Sequence, residues 1–138
     1  MVDIFMRYEG DLRCEARHAP SGRALATDAP LDNQGKGASF SPTDLVATAL
    51  GTCMLTTMGI IARRKGWNID GLELHIQKHM TKQPPRKVER LPVAFRVPPA
   101  VASQLDASAR AELEHTARTC PVALSLHDSI EVTLSFDW

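Results

Sequence analysis

The chain predicts an α+β fold, with antiparallel sheets around one long buried helix. Three observations carry that expectation. Two-residue alternation of apolar and polar side chains recurs in blocks at the start, after the middle and at the end of the chain. One helical run, Ser41 to Gly66, has no charged residue between Asp44 and Arg63. Strands are grouped with strands and do not alternate regularly with helices, which sets the sequence apart from a Rossmann-like α/β protein. The 138 residues suit a single domain spanning 1–138, and no internal repeat is present.

The chain opens with strand patterns over 2–9, 12–18 and 23–27, separated by Gly10-Asp11 and by Pro20-Ser21-Gly22. In the second, Leu12, Cys14 and Ala16 face one way and Arg13, Glu15 and Arg17 the other. Residues 28–40, DAPLDNQGKGASF, form a loop rich in Gly, Asp, Asn and Pro. Its length is of the kind that often serves function.

The long helix has legible ends. Ser41 suits the N-cap, Pro42 the first helical position, and Asp44 completes a capping box. Arg63, Arg64 and Lys65 complement the last turn, and Gly66 follows as the C-terminal cap. Being apolar nearly all round, this helix is expected to be buried on every side. The four threonines of its uncharged run, Thr48, Thr52, Thr56 and Thr57, and two glycines, Gly51 and Gly59, weaken a membrane-span reading, and the neighbouring segments read as strands of a globular domain. Ala47, Gly51, Leu55 and Gly59 form one i, i+4 line of mostly small residues. It suits close packing within the chain or a second copy of the same helix.

Alternation resumes from Leu72 to His79, then from Lys87 to Val97, where Pro92 suggests an edge position or a bulge. Residues 100–118 read as helical with a break near 106–108. Pro121 then starts a new short helix with Cys120 at its N-terminus. Residues 129–137 close the chain as a strand, with Ile130, Val132, Leu134 and Phe136 inward.

Composition excludes several functions. Sixteen basic and sixteen acidic side chains leave a formal net charge of zero, which gives no electrostatic footprint for nucleic acid. The N-terminal segment carries charge where a signal peptide needs an apolar core, so a cytoplasmic location is expected, without membrane insertion. Three cysteines, Cys14, Cys53 and Cys120, argue against a disulfide framework and for thiols that begin reduced. His75 and His79 on one strand would stand about 13 Å apart, too far to share a metal. No zinc-ligand spacing and no Gly-x-Ser-x-Gly elbow is present, so neither a metal site nor a serine hydrolase is expected.

The candidate chemistry therefore rests on cysteine. At a helix N-terminus Cys120 is expected to have a lowered thiol pKa. Cys53, in mid-helix, needs a cation from elsewhere, and Arg17, Arg23 and Lys36 are the candidates in the preceding strands and loop. Taken from the residues alone, both cysteines also fit as small inert core residues, and Cys14 fits that role best.

Two separated motifs, SPTDLVATALGTC and TCPVALSL, together with DNQGKG and KHM, resemble the OsmC/Ohr family of thiol-dependent peroxidases, in its OsmC-like branch. The resemblance extends over nearly the whole chain. It implies an intertwined homodimer with the central helices at the core and two sites at the subunit interface. It implies that Cys53 attacks a hydroperoxide and becomes a sulfenic acid, and that Cys120 resolves it as a disulfide. An external dithiol would then re-reduce the protein, with no metal or other cofactor. Organic hydroperoxides would be preferred over hydrogen peroxide. The family's supporting arginine corresponds to Arg17, with Arg23 as the alternative. The family's helix glutamate, ten residues before the reactive cysteine, is replaced here by Thr43. A redox-sensing or small-ligand binding module on the same fold, or a thiol-dependent hydrolase, would share these motifs. His79 reads as a surface or interface residue.

Overall fold

The structure, a computed structural model, describes all of residues 1–138. Seven strands and four helices form two compact units, Met1–Val46 and Ala47–Trp138, whose boundary falls inside the long helix.

The first unit is an antiparallel meander of β1 (Ile4–Gly10), β2 (Arg13–His18) and β3 (Ala24–Asp28). The register opposes Met6 to Ala16, Tyr8 to Cys14, Ala16 to Leu25 and Cys14 to Thr27. One face is therefore apolar, and it is open: Met6 is 70% and Tyr8 65% exposed. The other face carries charge, with Arg7 bonded to Glu9 at 2.8 Å and Arg17 to Glu15 at 3.4 Å.

The loop after β3 is held by backbone and carboxylate. Asp28, 1% exposed, accepts the Ala38 N–H at 2.9 Å through Oδ2 and donates its own N–H to the Phe40 carbonyl. Arg13 Nε stands 3.8 Å from Oδ1. A single 3-10 turn, Leu31–Asn33, lies within the loop. Gly35 is required there, because a Cβ would stand 1.7 Å from the Ala29 carbonyl oxygen.

Helix α1 spans Pro42–Lys65. Its start is the expected capping box. Asp44 N–H donates to Ser41 Oγ at 3.1 Å, and Ser41 N–H donates to Asp44 Oδ2 at 2.7 Å. Its end is a Schellman turn, in which Trp67 N–H reaches the Ala62 carbonyl across Gly66, whose φ is +73°. Burial departs from the sequence expectation. Within the single chain only one stripe is buried: Ala47, Leu50, Gly51, Met54, Met58 and Ala62. By length and composition the helix could also cross a membrane. The i, i+4 line divides in the same way. A Cβ on Gly51 would meet Leu74 Cδ2 at 3.0 Å, whereas one on Gly59 would meet nothing within 4 Å.

The second unit carries a four-stranded sheet of β4 (Glu73–Ile76), β5 (His79–Met80), β6 (Val88–Arg96) and β7 (Glu131–Phe136). Here the expectation of antiparallel sheets is corrected. β4 and β5 pair with β6 antiparallel, but β7 pairs with β6 in parallel. A parallel pair needs a long crossover, and the helices between the two strands supply it. These are α2 (Pro99–Ala102), α3 (Ala107–Arg118) and α4 (Pro121–Ser125), with Asp106 capping α3 at the expected break.

β6 is consequently an interior strand, not an edge. Pro92 accepts the Gln77 N–H at 3.1 Å through its carbonyl but has no N–H to return. The ladder breaks opposite it, which divides the expected 72–79 strand into β4 and β5. Leu91, Val93, Phe95 and Val97 all point into the core, with Leu50, Met54, Met58 and Leu113.

Candidate active site

Cys53 and Cys120 lie in the same unit, on two elements whose local sequence fixes them. Cys53 sits one residue before the buried Met54 on α1 and is itself half-buried. The Thr57 hydroxyl donates to the Cys53 carbonyl at 2.9 Å, tying the turn that carries the thiol. Cys120 is the N-cap of α4, with Pro121 at the first helical position, and is 1% exposed. Its Sγ accepts the Ala123 N–H at 3.4 Å, the bond a capping side chain makes to the third residue of its helix.

The two thiols interact. Burial pushes the Cys120 thiol above its ordinary value of 9.0, and hydrogen bonding and charge from Cys53 push it the same way. The Ala123 and Val122 N–H groups pull it down, and they lose. This runs against the expectation that a helix N-terminus lowers the Cys120 thiol pKa. The helix here is one short turn, and desolvation outweighs it. Cys120 is thus a buried, proton-holding thiol beside a more open one. No disulfide joins any of the three cysteines. Cys14 is half-buried on β2, opposite Tyr8 and Thr27.

The other candidates are placed as follows. Arg17 lies on β2 and pairs with Glu15, and Arg23 follows the β2–β3 turn. The Thr43 hydroxyl is 3.1 Å from that of Ser41, within the helix start. Lys36 pairs with Asp11 at 3.4 Å. His79, half-buried on β5, has Nδ1 3.5 Å from Arg90. The Ser125 hydroxyl donates to the Pro121 carbonyl at 2.7 Å, and His127 bonds Ser129. No group of three or more His, Cys, Asp or Glu side chains converges as metal ligands would.

The sequence did not single out Ala123, although its place three residues after a capping position was the available signal. It also did not single out a cavity of about 400 Å³ where α1, α4 and β7 converge, lined by apolar Met54, Ala123, Leu126, Ile130 and Val132 and by the polar side chains of Arg118, His127 and Asp128.

The chain is an α+β protein whose second unit carries one buried and one half-buried free cysteine. The chain belongs to the OsmC-like protein family, whose model matches residues 35–135. Among solved structures it is similar to an osmotic stress induced and detoxification response protein of Psychrobacter arcticus. That likeness has 41% identity and a TM-score of 0.90, and covers 99% of this chain and 96% of that one. The organic hydroperoxide resistance protein OsmC of Legionella pneumophila shares the fold at 15% identity and a TM-score of 0.73, with 100% and 97% of the chains covered. So does the organic hydroperoxide resistance protein OhrB of Bacillus subtilis, at 16% identity and 0.71, with 99% and 98% covered. No curated protein matches the sequence.

Proposed function

We propose that this chain is a thiol-dependent hydroperoxide reductase in peroxide defence, with Cys53 as nucleophile and Cys120 as resolving thiol. The observation that carries the reading is a half-buried thiol on α1 and a buried thiol at the start of α4, both packed into one core cluster. The Cys53 thiolate attacks the terminal oxygen of R–O–O–H, the O–O bond breaks, and the alcohol leaves with a proton. Cys53 is then a sulfenic acid. The Cys120 sulfur displaces its oxygen as water, forming the disulfide, and an external dithiol returns both thiols. Organic hydroperoxides are the substrates proposed, in preference to hydrogen peroxide.

The proposal includes a cytoplasmic homodimer. The open apolar face of the first sheet and the uncovered side of α1 support a second copy. Arg17, with Arg23 as the alternative, is the cation proposed to support the Cys53 thiolate. The test is hydroperoxide consumption with dithiothreitol as reductant. Wild-type protein should turn over; Cys53→Ser should not consume even one equivalent. Activity retained in Cys53→Ser would overturn the reading.

A second reading has one observation in its favour. Thr43, in place of the family's glutamate, brings a hydroxyl engaged at the helix start instead of a carboxylate. A redox-sensing or small-ligand binding module with slow thiol chemistry would fit that replacement. It would show one stoichiometric oxidation without sustained turnover.

A further inference from the structure

We propose that the reducing thiol attacks Sγ of Cys53 and that Cys120 is always the leaving sulfur when the disulfide is opened. The proposal rests on the reading of Cys53 and Cys120 as a redox pair and assigns the direction of its recycling step, which the pair alone leaves open.

Thiol–disulfide exchange depends on which sulfur can be reached, because the incoming thiolate must approach along the S–S axis from the side opposite the leaving sulfur. For attack on Cys120 that approach is closed. Cys120 is 1% exposed in the single chain and part of the main core cluster, and a second copy could only bury it further. The Ala123 N–H already stands 3.4 Å from its sulfur. Cys53 is packed against the same cluster but, in the single chain, keeps part of its surface open.

The surroundings of Cys120 do not favour its departure as a thiolate, because burial raises its pKa and a higher-pKa sulfur leaves more slowly. Access to the two sulfurs therefore fixes the direction of opening.

The step balances. A thiol R–SH gives its proton to solvent, and R–S⁻ forms a bond to Cys53 Sγ. The Cys53–Cys120 bond breaks, and Cys120 leaves as a thiolate that takes a proton from solvent. The products are a mixed disulfide on Cys53 and a free Cys120 thiol. A second thiol then displaces Cys53 and yields R–S–S–R.

The test uses the full chain with its disulfide formed by diamide, so it reads the direction of opening whether or not hydroperoxides react. The oxidised protein is mixed with 2-mercaptoethanol and sampled at early times, before a second thiol displaces the adduct. Samples are quenched in acid, the free thiols are blocked under denaturing conditions, and the peptides are mapped by mass. The mercaptoethanol adduct should sit on the Cys53 peptide at least about tenfold over the Cys120 peptide, and unfolding in guanidinium before the thiol is added should erase that bias. An adduct mainly on Cys120, or an even split in the folded protein, overturns the proposal. So does a disulfide that resists the thiol while folded, since neither sulfur would then be open. Failure of diamide to join Cys53 to Cys120 overturns both this proposal and the redox-pair reading.

Discussion

Cys53, half-buried on α1, packs against the core cluster that holds Cys120, which is buried at the start of α4 and accepts the Ala123 N–H at 3.4 Å. The two sulfurs face different environments, and in the proposed reaction that asymmetry divides their roles. A thiol kept protonated by burial is a poor first nucleophile at neutral pH, but it is well placed to trap a sulfenic acid formed beside it.

The asymmetry predicts selective alkylation. With iodoacetamide at pH 7, Cys53 should be modified at least about tenfold faster than Cys120, because the thiolate is the reacting species and Cys120 is both protonated and inaccessible. Peptide mass mapping over time checks this. Equal rates would contradict it.

Stability should fall at alkaline pH. The folded-state pKa of Cys120 is raised above its ordinary 9.0, so its contribution to stability is fully present below that value and is lost as pH rises through the folded pKa. Urea unfolding of the reduced wild type between pH 8 and about 10.5 should show a steeper loss than Cys120→Ser, which has no such titration.

Cys120→Ser should keep the first step and lose the cycle. It should consume about one equivalent of alkyl hydroperoxide and accumulate a Cys53 sulfenic acid that dimedone traps. With dithiothreitol its resistance to over-oxidation should be lower than that of the wild type. Trapping on Cys14 instead would contradict the assignment.

The helix start should matter for stability. Ser41→Ala removes one half of the capping box and leaves the Asp44 N–H without its side-chain acceptor. It should cost about 1 kcal/mol, or a few degrees in Tm, read by circular dichroism.

The open surfaces predict association. Met6→Lys places a charge on the exposed apolar face of the first sheet and should shift a dimer toward monomer in sedimentation velocity, with the far-UV spectrum unchanged. An unshifted dimer would show that this face is not the interface.

Much of the architecture was legible because its signals are local. Ser41, Asp44 and Gly66 mark both ends of α1, and the alternation from Leu91 to Val97 marks the buried face of β6. What was not legible depends on residues far apart in sequence. Nothing within residues 129–137 says that β7 runs parallel to β6. Pro92 pointed to an edge position or a bulge because its partner, Gln77, cannot be identified before the strands are paired. The helix expected to be buried all round exposes one side, since a sequence cannot say whether its cover comes from the same chain. At the site, the pairing of Cys53 with Cys120 was implied by the family resemblance and not by spacing. The pKa of Cys120 was misjudged because the capping position is visible in the sequence but the burial that overrides it is not.

The most direct measurement is intact mass and peptide mapping of the reduced protein before and after about one equivalent of an alkyl hydroperoxide, since oxidation of a thiolate to a sulfenic acid is a stoichiometric two-electron step. The account predicts that two thiols disappear and that a Cys53–Cys120 disulfide forms while Cys14 stays free. Survival of all three thiols, or oxidation confined to Cys14, would contradict it.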